Sequence, residues 1–142
     1  MSPRELSIRN QLRGTVVAVN LGQVMATVTS QLSGGQEVTS AITREAVEEL
    51  GIRAGSAIRL LIKATEVALA TGPVSAVSIR NQFPGTVEEV ATGRAMATAK
   101  VSIEGGELTA AITRDAATEL GLKSGSPVVA LVKATEVSLA TD

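Results

Sequence analysis

The sequence predicts an all-β protein built of two tandem OB-like small β-barrels (the oligonucleotide/oligosaccharide-binding type), each with one short helix. Three observations lead there. First, the chain repeats itself: residues 7–35 match 78–106 without a gap, one residue is then dropped, and 37–71 match 107–141, with about half the paired positions identical. Second, β-branched and alternating stretches dominate each copy. Third, only one stretch per copy carries helix signals. The repeat sets the domain boundaries at 1–72 and 73–142, and Gly72-Pro73 opens the joint between them.

Each element has a reason. Residues 7–11 alternate polar and apolar and read as a strand. Gly14 interrupts, and the β-branched residues 15–19 read as a second strand. Asn20-Leu21-Gly22 is a turn signal, answered by Ala91-Thr92-Gly93. Residues 24–32 form the third strand, alternating at Met25, Thr27 and Thr29. Gly34-Gly35 and Gly105-Gly106 supply hairpin turns, and the dropped residue falls at that hairpin, where length changes are best tolerated. Residues 37–42 are the fourth strand. The helix spans 43–51, with Thr43 as N-cap and Gly51 as stop; its twin spans 113–121. Ile42, Ala46, Val47 and Leu50 fall at helical spacing and give it a buried face. Residues 57–62 form a continuous apolar strand. Lys63-Ala64-Thr65 then crosses to a last strand, 66–70, in which Val67 and Leu69 point one way. Copies of about 65 residues hold small cores, so they bury surface against one another or against other chains. First strands with exposed edges invite exchange between them.

Composition narrows the function. Of 142 residues, 44% are apolar, enough for a packed interior, which Val, Ala, Ile and Leu must fill because the chain has one Phe and neither Tyr nor Trp. Cys and His are absent, which removes disulfides, thiol nucleophiles and thiolate or imidazole metal sites. It also removes the commonest general acid/base. No nucleophile–base pair stands out. Glu48 and Glu49 are neighbours that do not face each other on a helix, and Glu66 and Glu136 read as salt-bridge partners of the lysines before them. Gly34-Gly35 lacks the lysine and helix of a phosphate loop. The chain therefore reads as no enzyme. Single-stranded nucleic acid wants stacking aromatics and a basic groove; one Phe and a net charge of −1 supply neither. Nothing approaches the ~18 consecutive apolar residues of a membrane span. Met1-Ser2-Pro3-Arg4-Glu5-Leu6 has no apolar run behind it and reads as no signal peptide. A cytoplasmic location is the expectation.

What remains is a set of donors present in both copies. Ser7-Ile8-Arg9-Asn10-Gln11 returns as Ser78-Ile79-Arg80-Asn81-Gln82, and Lys63-Ala64-Thr65-Glu66-Val67 as Lys133-Ala134-Thr135-Glu136-Val137. On a strand Ser7 and Arg9 share a face. Arg9 offers a planar fork suited to oxyanions, Lys63 a point charge, and Thr43 a helix start with free amides. Such a set stabilises a fully ionised dianion without any acid/base group. Taken singly, each feature also fits a bland role: a solvated strand face, a cap, a strand end.

In sequence the order is Ser-x-Arg-Asn-Gln, Gly-Thr-Val, Ile-Thr-Arg, then Lys-Ala-Thr-Glu-Val. It resembles the Mop family of molybdate-binding domains, the molbindins, over nearly the entire chain and twice at matching spacing. Two units in one chain resemble the tandem di-Mop type. The resemblance implies an OB-like fold and a homotrimer with six units around an axis. It implies binding of molybdate, with tungstate as analogue, for molybdenum storage and homeostasis. Carried over, the ligand-binding residues are Ser7, Arg9, Thr43, Lys63, Ala64 and Thr65, and Ser78, Arg80, Thr113, Lys133, Ala134 and Thr135. No protein atom ligates the metal, which keeps its own oxygens. The family builds a site across units, so Ser7 and Arg9 are expected to meet a lysine of another unit. A further site of backbone amides near the axis is expected, with no residues assigned. Leu12-Arg13 against Phe83-Pro84 are departures beside the motif that set the two halves' sites apart. Two alternatives stand beside storage: a regulatory or interaction module that senses the anion, and an OB-type nucleic-acid binder. With no helix-turn-helix or ATPase segment alongside, the two units are expected to be the whole protein.

Overall fold

The computed structural model describes residues 6–141. The first five residues, part of the stretch read above as no signal peptide, and residue 142 lie outside the described residues. One long strand stands where the sequence suggested two. β1 (Asn10–Leu21) runs straight through Gly14. Gly14 sits in the ladder opposite Leu32 on one side and Ile58 on the other. A Cβ there would come within 3.0 Å of the Gln31 carbonyl oxygen and 3.1 Å of Leu60, so this glycine permits a close approach rather than a break. The bend comes at Val17, a β-bulge where the register steps between Val16 and Ala18. In the second repeat β6 (Asn81–Thr92) repeats the pattern, with its step between Val87 and Glu89. Residues 7–9 and 78–80 consequently precede their strands. The shared-face argument for Ser7 and Arg9 does not apply; another geometry brings them together.

β2 (Met25–Leu32) and β3 (Glu37–Thr43) follow as a hairpin, and β7 (Met96–Ile103) and β8 (Gly106–Thr113) repeat it. α1 (Arg44–Leu50) and α2 (Arg114–Glu119) start where expected. The Thr43 and Thr113 hydroxyl oxygens accept from the Ala46 and Ala116 amides at 3.1 and 3.0 Å. Gly51 ends α1 in the left-handed region, φ +63°. The buried face is narrower than expected. Val47 alone in α1 is buried; Leu50 is exposed, and Ile42 belongs to β3. Two turns of helix lying on β2 and β3 have room to insert one side chain.

β4 (Ala57–Ile62) and β9 (Pro127–Val132) are the apolar strands. Each is followed by a 3-10 turn, Ala64–Glu66 or Ala134–Glu136, and then by a short last strand, β5 (Ala68–Ala70) or β10 (Ser138–Ala140). The sheets are ordered β10-β4-β1-β2-β3 and β5-β9-β6-β7-β8, all antiparallel. Each sheet therefore takes its fifth strand from the other repeat: Leu139 pairs with Leu60, and Leu69 with Ala130. Exchange was expected through the first strands and occurs through the last. A tight hairpin back onto β4 needs a glycine-type primed turn. Lys63-Ala64-Thr65-Glu66 has none and makes a helical turn that carries the chain onward.

Each sheet curls into a half-barrel, as the all-β OB-like class requires. β10 comes back beside β3, and β5 beside β8, without ladder pairing. One buried apolar cluster runs through both repeats, with Leu60, Ile62, Phe83 and Leu108 fully enclosed. Among the described residues, no helix is long and apolar enough to cross a membrane.

Candidate functional site

Strand register joins the two repeated motifs. Asn10 pairs with Ile62 at the end of the β1–β4 ladder. Chain leaving the ladder at residue 9 and chain leaving at residue 63 therefore emerge side by side. Ser7, Ile8, Arg9, Lys63, Ala64 and Thr65 line one pocket of about 260 Å³. Within this chain Arg9 shares its pocket with the lysine of its own repeat, because an antiparallel ladder fixes which ends are neighbours. Arg9 folds back on its own chain: Nε donates to the Ser7 carbonyl at 3.1 Å and a terminal nitrogen to the Leu6 carbonyl at 2.9 Å. A guanidinium has five N–H donors, so this leaves donors for a ligand while fixing the turn. Gln11 steadies the same turn by donating to the Ile8 carbonyl at 3.1 Å, as Gln82 does to Ile79 at 3.3 Å.

Among the described residues neither Arg9 nor Lys63 pairs with a carboxylate. The expected Lys63–Glu66 and Lys133–Glu136 bridges do not form. The 3-10 turn directs both glutamates into a second pocket of about 420 Å³ between the repeats. There the first repeat brings Thr65, Glu66, Val67 and Ala68 onto β8, and Thr113 and Lys133 join from the second repeat. Its walls are mostly aliphatic and carry two carboxylates. Thr65 lines both pockets.

The remaining candidates are placed as follows. Thr43 lines a third pocket, about 380 Å³, with Arg44, Glu45 and Glu48. Ser78 and Arg80 are exposed; Asn81 opposite Val132 puts that stretch alongside Lys133, Ala134 and Thr135 by register. The structure thus unites Ser7, Arg9, Lys63, Ala64 and Thr65, unites Thr113 with Lys133, and places Thr43 elsewhere.

Two residues were passed over in the sequence. Asn10 and Asn81 are 3% and 2% exposed. Each makes two hydrogen bonds to one residue of the other repeat. Asn10 donates to the Thr109 carbonyl at 2.8 Å and accepts from its amide at 2.7 Å; Asn81 does the same with Thr39, both at 2.8 Å. The available signal was an amide retained in both copies at the first position of a long strand.

The fold and this pocket define a small tandem binding module. The TOBE domain family matches residues 6–69 and 77–139, so the chain belongs to that family, in two copies. The likeness to tandem Mop proteins stands with it. The chain is 38% identical over 138 residues to the molybdenum-pterin-binding protein MopA of Rhodobacter capsulatus, covering 94% of this chain and 51% of that protein. It is 37% identical over 136 residues to the molybdenum transport protein ModE of Herbaspirillum seropedicae, covering 94% and 51%. The chain thus spans about half the length of these curated relatives. A crystal structure of the cytoplasmic molybdate-binding protein ModG, with molybdate bound, superposes with a TM-score of 0.94 at 36% identity, covering 97% of this chain and 99% of that one.

Proposed function

We infer that this protein binds molybdate, and tungstate as its analogue, without catalysis, for storage and homeostasis of molybdenum in the cytoplasm. One observation carries the reading: a pocket lined by two cations, two hydroxyl side chains and no carboxylate. Molybdate is a tetrahedral dianion that offers only acceptors, and Arg9, Lys63, Ser7 and Thr65 offer donors. Arg9 presents its remaining N–H groups as a fork, and Lys63 neutralises charge. Ala64 contributes backbone: the first amides of a helical turn have no intrahelical partner. Ser78, Arg80, Lys133, Ala134 and Thr135 take the same roles in the second repeat. Thr43 and Thr113 lie outside the Ser7–Lys63 pocket of this chain, and we assign them to sites built with another unit of the assembly. Likeness to ModG over nearly the full length of both chains supports the ligand. A homotrimer is the assembly we infer with it.

Sulfate carries the same charge, so a donor set alone does not select against it; pocket size must. Equilibrium dialysis against molybdate and sulfate, paired with native mass measurement, tests the reading. Molybdate retained over sulfate, and lost on Arg9→Ala together with Arg80→Ala, is the expected result. Equal retention of both anions, or retention unchanged in the double variant, would sink it.

A second reading has a specific support. The chain is 34% identical over 139 residues to the transcriptional regulator ModE of Yersinia pestis, again about half of that protein. The same two units then act as the anion-sensing part of a regulator. Molybdate-dependent binding to DNA or to a protein partner, absent from the storage reading, distinguishes the two.

A further inference from the structure

We propose that Asn10 and Asn81 are positioning residues of the anion sites, side-chain latches that set the Arg9 and Arg80 turns by fastening them to the opposite repeat. The proposal rests on the oxyanion reading above and adds what holds the site open.

β3 and β8 end their sheets. An end strand presents amides and carbonyls with no ladder partner on its outer side. Asn10 fills that need at Thr109 of β8, and Asn81 at Thr39 of β3, each with one donor and one acceptor. The side-chain amide imitates one peptide unit of a missing strand. It does so from a buried position immediately after the arginine. Arg9 is therefore one residue from a fixed point on the other repeat. On the other side the Arg9 turn is held by its own carbonyl bonds and by Gln11. Four residues beyond each latch point lies a helix-start threonine: Thr109 leads to Thr113, and Thr39 to Thr43.

The 3-10 turn after Lys63 packs on the same strand, β8, that Asn10 grips. Both walls of the Ser7–Lys63 pocket are thus referred to one strand of the partner repeat, Ser7–Arg9 through the Asn10 side chain and Lys63–Thr65 through packing. The pocket opens or narrows with any change in how Asn10 meets Thr109. Fixing ligand-holding groups by a buried outer partner is worth about 10–100-fold in affinity where such partners have been removed.

The test is titration calorimetry of the full chain with sodium molybdate in an Arg80→Ala background, which silences the twin site. Asn10→Ala removes the latch. Asn10→Gln keeps both hydrogen-bonding groups but adds a methylene, which displaces the turn without deleting a partner. Val28→Ala, a core truncation in the same repeat whose counterpart is already Ala99, controls for lost stability. Both Asn10 variants are expected to weaken molybdate binding about 10–100-fold while folded by circular dichroism, with Val28→Ala unchanged. Asn10 variants that bind as the parent, or lose no more than Val28→Ala, overturn the latch. Loss of all Arg9 dependence overturns the oxyanion reading instead. If the Asn10 variants do not fold, hydrogen exchange on the unaltered chain decides. Saturating molybdate slows the Thr109 and Thr39 amides, which do not line the pocket; unchanged exchange overturns the latch.

Discussion

On β1 and β4, Leu12 stands directly opposite Leu60; at the same place on β6 and β9, Phe83 stands opposite Ala130. Both pairs are buried. Elsewhere in the buried interior, Val28 and Ser40 of the first repeat become Ala99 and Ala110 in the second. The one larger side chain, Phe83, faces a smaller partner, Ala130, and the strand register is the same in both repeats. The two halves differ in the core layer and agree residue by residue at the rim. Ser-x-Arg-Asn-Gln and Lys-Ala-Thr-Glu-Val are unchanged between repeats while the residues that pack beneath them are not.

The sharpest break of this comparison is Phe83→Ala. It leaves two alanines facing each other across β6 and β9 where a fully buried ring stood. We expect a loss of about 3–5 kcal/mol in denaturant unfolding. Ala130→Leu alone overfills the layer and should cost about 1–3 kcal/mol. Phe83→Leu combined with Ala130→Leu copies the first repeat's pair and should recover most of that cost. A double variant no better than the single one would show that the layer is not the unit that matters.

Hairpin tips give the next contrast. Gly34 and Gly105 are equivalent and share a positive φ, +95° and +90°. A Cβ on Gly34 would meet only the flexible Glu104 side chain, 2.8 Å away, whereas one on Gly105 would lie 2.4 Å from the Ser33 carbonyl oxygen. The tips of the two repeats touch there, and the contact is asymmetric. Gly105→Ala should cost about 3 kcal/mol, backbone strain plus a clash that only main-chain movement relieves. Gly34→Ala should cost about 1 kcal/mol, from strain alone. Equal losses in a thermal melt would contradict the packing of the tips.

Much of this architecture was legible. The repeat, the hairpins and the helix caps rest on local chemistry, glycine at positive φ and threonine accepting from an amide, which sequence displays directly. Strand exchange was not legible in detail, because whether β5 returns to β4 or crosses to β9 depends on which edge lies nearer in space. Gly14 misled for a related reason: a glycine that breaks a strand and one that lets a neighbour approach look alike until the neighbour, here Gln31 and Leu60, is known. At the site, the motifs announced which residue types matter, but their pairing followed from the Asn10–Ile62 register. Asn10 itself read as a strand residue because its partner, Thr109, lies 99 positions away.

Buried hydroxyls offer a smaller test. Ser30 and Ser40 are fully enclosed in the first repeat, and neither Oγ makes a hydrogen bond within the chain. Their counterparts, Val101 and Ala110, have no such group to satisfy. Ser30→Val should raise stability by about 1 kcal/mol, since an enclosed polar group without a partner is costly. A drop in melting temperature would mean that the first repeat's core has no room for the second's side chain.

The smallest effect concerns charge on the outer face. Val17, Ala18 and Thr29 of the first repeat become Glu88, Glu89 and Lys100 in the second. Lys100 pairs with Glu89 at 3.4 Å. The Glu107 carboxyl is held above the usual carboxylate range, chiefly by a hydrogen bond with the Glu88 side chain, then by slight desolvation at an exposed position and by repulsion from Glu88. A raised value in the folded chain means that folding favours the protonated form. The stability this gives is fully present below the unfolded carboxylate value and is lost as pH rises through the raised folded value. At neutral pH the Glu88–Glu107 contact is one carboxylate against another. Glu88→Gln removes the charge while keeping a side chain that donates to Glu107. The Glu107 titration, followed by carboxyl carbon NMR, should move toward lower pH. The melting temperature near pH 7 should rise slightly relative to its value near pH 4. A Glu107 midpoint unmoved by Glu88→Gln would show that the Glu88 contact does not set the shift.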